Sequence, residues 1–150
     1  MRLPDASTPV VCDMTDAPDT DLERLAEYRR LFTQAAYLGR ERTAERIRFR
    51  FRIEPGLEAW LRDLAAREKA CCAFFAFDIT AVGDELRYDA AVADNDQARA
   101  ILDEYYALPD TLVDSLDDLR DRLAGRGLVF TSDSAGTVHH VQPAGVVSDT

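Results

Sequence analysis

The clearest pattern in the chain lies at residues 46–53, where Arg46, Ile47, Arg48, Phe49, Arg50, Phe51, Arg52 and Ile53 alternate with a strict period of two. Successive side chains of a strand point to opposite faces, so Ile47, Phe49, Phe51 and Ile53 are predicted to enter a core and the arginines to face away. Pro55-Gly56 ends that strand. Helical spacing flanks it. Over about residues 20–38, Leu22, Leu25, Phe32 and Ala36 share a face with Arg29, and Thr20 with Glu23 is placed for a capping box. Over about 57–72, Leu57, Trp60, Leu61 and Leu64 form a stripe whose continuation meets Glu68, Cys71 and Cys72. Phe74 to Thr80 then reads as a turn into a strand, Gly83-Asp84 as a hairpin turn, and Leu86 to Val92 as the antiparallel return. Asp94-Asn95-Asp96 opens a helix over about 96–107, which stops before Pro109.

With a short strand at Val10-Val11-Cys12, the order is β-α-β-α-β-β-α. That order predicts an α+β two-layer sandwich, a sheet of about four strands with helices on one face, in a ferredoxin-like arrangement. The chain divides into a flexible leader (1–9), an α+β thiol domain (10–108), an amphipathic helical extension (109–131) and a flexible tail (132–150). Leu112, Leu116, Leu119 and Leu123 mark the extension, and residues 132–150 lack usable periodicity.

Charge narrows the choice of partners. A net charge of −10 disfavours nucleic acid and anionic membrane surfaces, since phosphates are repelled. No apolar run approaches the roughly 18–20 residues that span a bilayer, and no apolar leader follows Met1. The expected compartment is the cytoplasm, where thiols are kept reduced. The arginines of 46–52 read as a solvated face with Glu85 and Asp89 as cross-strand partners, and His139-His140 as a chance pair in the tail.

Three cysteines, an odd number, remain as the concentrated chemistry. Thiolates are soft ligands for Hg, As, Zn or Cu, so Cys12, Cys71 and Cys72 are the candidate metal or metalloid ligands. Neighbouring side chains on a helix diverge by about 100°, so Cys71 and Cys72 serve one ion only where the helix breaks. A helix C-terminus disfavours negative charge, which calls for a compensating cation. Arg29 is that candidate, paired with Glu68 beneath the thiols as outer support. Against this stands the plainer reading: buried cysteines pack as small hydrophobes, Arg29 lies along the core by its stem, and Asp13, Asp16 and Asp19 are turn and cap residues.

The strings Val11-Cys12-Asp13-Met14-Thr15, Leu25-Ala26-Glu27-Tyr28-Arg29-Arg30-Leu31 and Glu68-Lys69-Ala70-Cys71-Cys72-Ala73-Phe74-Phe75-Ala76-Phe77 occur in this order. Together they resemble a family of small bacterial Glu-x-x-Cys-Cys-x-Phe proteins. That family is related to domains fused to mercury-resistance-type regulators and found near heavy-metal resistance genes. The resemblance covers about residues 10–108; Ala73 stands where many relatives have proline, and the extension falls outside it. It implies a soft-metal connection: thiol-based binding or sensing through Cys12, Cys71 and Cys72. One alternative is an enzyme using the same thiols. The Cys12-Asp13-Met14-Thr15-Asp16 and Cys71-Cys72-Ala73-Phe74-Phe75 pieces resemble organomercurial lyase, with Glu68, Asp13 or Asp16 as the acid that protonates the leaving carbon. A second alternative is a protein-interaction domain with structural cysteines, docking a partner or a second copy through 112–123.

Overall fold

The computed structural model describes residues 1–43, 46–111, 115–132 and 137–139. Along them run β1 (Val11–Asp13), α1 (Asp21–Gln34), β2 (Tyr37–Arg42), β3 (Arg46–Arg52), α2 (Leu57–Cys71), β4 (Phe75–Val82) and β5 (Glu85–Val92). There follow α3 (Asp96–Tyr106), α4 (Leu108–Thr111), α5 (Leu116–Gly125), β6 (Val129–Ser132) and β7 (Thr137–His139). The class is α+β, as the pattern predicts.

The main sheet has four antiparallel strands in the order β2-β3-β5-β4. The alternation of β3 sets its two faces: Ile47, Phe49 and Phe51 are buried, and α1, α2 and α3 cover that side. Phe32 of α1 packs on Phe49 with ring centroids 4.8 Å apart, and Tyr105 of α3 meets Phe75 of β4 at 4.9 Å. Ile53 departs from the expected core. It lies just past the ladder, its N–H bonded to the Asp84 carbonyl, and its side chain is exposed.

β2 is the strand that the pattern misses. Helical spacing predicts a helix that runs on to residue 38, yet α1 stops at Gln34 and Ala35 turns extended, with φ −80° and ψ 163°. The following stretch shows no clean alternation because its register shifts between Tyr37 and Gly39, a bulge. Gly39 supplies the φ of 152° found there, a conformation open to a residue without Cβ. The start of α1 follows expectation: Thr20 and Glu23 form the reciprocal capping box.

β1 does not join this sheet. It pairs in parallel with β6, which pairs antiparallel with β7. The described residues after 108 are therefore built into the same body as those before. α5 packs on α1, burying Leu119, Leu123 and Ala124, and Leu128 is buried behind it. Part of the predicted tail is strand, at Ser132 and Thr137–His139. Leu112, His140 and residues 141–150 lie outside the described residues. Among the described residues no helix is long and apolar enough to cross a membrane.

Candidate functional site

The inward stripe of α2 continues through Leu57, Leu61, Leu64, Glu68 and Cys71, all buried. A carboxylate in that place requires partners, and Glu68 has three. Its Oε1 accepts from Arg24 Nη1 at 2.6 Å, and its Oε2 from the hydroxyls of Tyr28 at 2.8 Å and Tyr105 at 3.0 Å. A phenol carries one hydrogen. Tyr28 gives its own to Glu68, so in the 2.9 Å contact between Tyr28 and Tyr88 it is Tyr88 that donates. Burial, followed by the Glu68 charge, holds Tyr28 and Tyr105 well above the ordinary phenol value, and the same two causes raise Tyr88.

Arg24 links this cluster to a second one. Its Nε and Nη2 donate to Asp19, each at 2.7 Å. Arg67 in turn donates to Asp19 at 3.0 Å, to both oxygens of Glu27 at 2.8 and 2.6 Å, and to Asp63 at 2.8 Å. Trp60 Nε1 adds a bond to Glu27 at 2.7 Å. The hydrogen bond from Arg24 holds the Asp19 carboxyl below its ordinary range, and that from Arg67 does the same for Glu27. The guanidinium on Glu68 thus belongs to Arg24 and not to the expected Arg29, which is half-buried. Helix phase explains the exchange. Arg24, Tyr28 and Leu31 stand at i, i+4 and i+7, and with Leu25 and Phe32 they form the inner stripe of α1.

The sulfur chemistry is different from the expected three-thiolate set. Cys12 and Cys72 are joined in a disulfide with their Cα atoms 4.4 Å apart, leaving Cys71 as the free, buried cysteine. α2 ends at Cys71, and Cys72 turns off the helix with φ −118° and ψ 81°. That break brings Cys72, rather than both neighbours, onto Cys12 at the middle of β1. A disulfide sulfur has no thiolate to offer a metal. The remaining thiol faces a cation, with Arg24 Nη2 3.9 Å from Cys71 Sγ. Burial raises the Cys71 thiol above its ordinary value, and the Arg24 bond offsets only part of that. Among the described residues no group of three His, Cys, Asp or Glu side chains is placed to hold a metal ion. The reading of Cys12, Cys71 and Cys72 as a Hg, As, Zn or Cu site is therefore overturned, and an organomercurial-lyase-like reaction loses the paired thiolates it would need.

Asp13 and Asp16 are exposed, and Asp13 Oδ1 accepts from the Thr15 N–H at 3.0 Å, a turn role. With Ala17, Pro18, Arg67, Ala70 and Cys71 they line a pocket of about 150 Å³. Sequence reasoning singled out Glu68 but passed over Arg24, Tyr28, Tyr88 and Tyr105, because the partners come from three elements remote in the chain. The available signal was the spacing of Arg24 and Tyr28 within the apolar stripe of α1.

On the open face of the main sheet, Arg48 grips Asp89 with two bonds, at 2.8 and 3.0 Å, while Arg46 reaches it at 3.4 Å. Arg50 and Arg87 share Glu85 at 3.0 and 2.8 Å. These are the cross-strand partners that the alternation of β3 suggests. Comparison with protein-family models, with curated proteins and with solved structures finds no match for the chain.

Proposed function

We propose that this chain is a protein-interaction domain whose cysteines are structural. The observation that carries the reading is the Cys12–Cys72 disulfide, which fastens β1 to the end of α2 with both residues buried. A bond that closes a long stretch of chain stabilises mainly by restricting the unfolded state, by about 2–4 kcal/mol. Disulfides persist where conditions are oxidising, so a cytoplasmic location goes with a bond shielded from reducing thiols, as the burial of Cys12 and Cys72 provides.

The surface that suits a partner is the open face of the β2-β3-β5-β4 sheet. It presents Arg46, Arg48, Arg50, Arg52 and Arg87 in a chain whose net charge is −10. Guanidinium groups already oriented by carboxylates are preorganised for further planar, charge-assisted bonds, and arginine is enriched at protein interfaces. A partner with acidic side chains fits that face. Docking through 112–123 would use the polar side of α5, because Leu119 and Leu123 are buried within the chain.

Affinity capture with the intact chain as bait, quantified by mass spectrometry, tests the reading. Arg48→Glu combined with Arg50→Glu is expected to reduce the captured partner by about tenfold or more. Cys12→Ser with Cys72→Ser, held below its lowered melting temperature, is expected to keep it. Capture that ignores the sheet variant and disappears with the cysteines would refute the proposal.

A further inference from the structure

The bonded pair Cys12–Cys72 lies where α2 ends, and the free Cys71 is the residue next to Cys72 in the chain. Consecutive Cα atoms lie about 3.8 Å apart, and the Cα of Cys12 is 4.4 Å from that of Cys72. The Cα atoms of Cys12 and Cys71 are therefore within about 8 Å of each other. A disulfide spans Cα separations of about 4.4–6.8 Å, so even at the outer limit of that bound a shift of about an ångström or two brings the Cα atoms of Cys12 and Cys71 into range. The backbone is already off the helix at Cys72, while the Cys72 N–H still reaches the Glu68 carbonyl at 2.7 Å. Cys71 lines the same pocket as Asp13, the residue after Cys12. Arg24, fixed by Asp19 and Glu68, stands 3.9 Å from the Cys71 sulfur as a donor for a thiolate.

We propose that this junction is a thiol–disulfide exchange site, in which Cys12 pairs alternately with Cys72 and with Cys71. The Cys71 thiolate attacks Sγ of Cys12, the Cys12–Cys72 bond breaks, and the Cys12–Cys71 bond forms. Cys72 leaves as a thiolate and takes up the proton that Cys71 gave away. The step conserves one disulfide and one thiol, so it needs neither oxidant nor reductant. Exchange moves the anchor of β1 by one residue along the end of α2, and β6, paired to β1, carries that shift toward β7. The rate follows the thiolate fraction of Cys71. That fraction is set by burial, by Arg24 of α1, by Glu68 on its own helix, by Asp19 ahead of α1, and by Asp13, Asp16 and Arg67 around the pocket.

The inference rests on the Cys12–Cys72 bond of the proposed function, the latch of β1 on α2, and one experiment separates the two. The full chain is equilibrated in air-saturated buffer above the ordinary thiol range, quenched in acid, unfolded, alkylated in acid and mapped by tandem mass spectrometry. The expected map has one free thiol per chain, on Cys71 in most molecules and on Cys72 in about 1–10% of them. Cys72→Ser is expected to close a Cys12–Cys71 bond in a glutathione redox buffer, and Cys71→Ser to show no free thiol. A wild-type map with Cys72 free in less than about 0.1% of chains overturns exchange and leaves the latch standing. So does a folded Cys72→Ser chain with both thiols open; if that variant does not fold, the wild-type map decides. Three free thiols in the unreduced chain overturn the latch and the exchange together.

Discussion

Two carboxylates, Glu68 and Asp89, are nearly equally buried, at 1% and 2% exposure, and both are met by arginine. Their surroundings differ in one respect. The counter-ion of Glu68 is itself interior, with the Arg24 side chain 4% exposed, and the remaining bonds come from phenols sealed in the core. The counter-ions of Asp89 reach water, with Arg48 and Arg46 side chains 28% and 41% exposed. Removing one member of a closed pair strands the other without solvent, whereas a guanidinium at the surface can be rehydrated. Burial of an acid therefore says little about its energetic weight until the hydration of its partner is known.

The widest separation between the two regions is expected from Glu68→Ala. It leaves the Tyr28 and Tyr105 hydroxyls without their carboxylate acceptor and Arg24 with the Asp19 carboxylate and the Cys71 sulfur, a loss of about 3–5 kcal/mol in denaturant unfolding. A loss as small as that at Asp89 would break the comparison.

Alkaline titration sharpens it next. Tyr28, Tyr88 and Tyr105 have folded-state values above the ordinary phenol value, which is about 10. Above that value the unfolded chain releases phenolic protons that the folded chain keeps, so stability declines as pH rises. Each tyrosine costs up to about 1.4 kcal/mol per pH unit. Ultraviolet absorbance should show these three ionising together with unfolding. Smooth titration of all five tyrosines before unfolding would show that the cluster is open to water. The sheet face contains Glu85, whose carboxyl is lowered by its bond from Arg87, and responds at the opposite, acid end.

The smallest effect belongs to Asp89→Asn. It keeps the shape, removes the charge and leaves Arg46 and Arg48 to water, so a loss of about 1 kcal/mol is expected in the same unfolding measurement. A loss matching that of Glu68→Ala would mean that the open face is as closed as the core.

Local pattern reached far into the fold. The period of two in β3 assigned its faces, Thr20 with Glu23 marked the start of α1, and the spacing from Leu57 to Cys71 traced the buried stripe of α2. Each of these is a property of residues within a few positions of one another, which is where backbone geometry acts directly. Glu68 and the three cysteines were legible as unusual for the same reason, since a charge or a thiol on an apolar stripe stands out in one dimension.

What the sequence could not decide were the pairings. Whether Glu68 meets Arg24 or Arg29 depends on the phase of one helix against another, a rotation of a fraction of a turn. Whether three cysteines make a metal site or a disulfide depends on bringing together residues 12 and 72, which are 60 positions apart in the chain. The parallel pairing of β1 with β6 lies farther still along the chain. Such contacts gain their free energy only after the intervening segments have folded, so no local propensity encodes them, and the tertiary structure alone selects them.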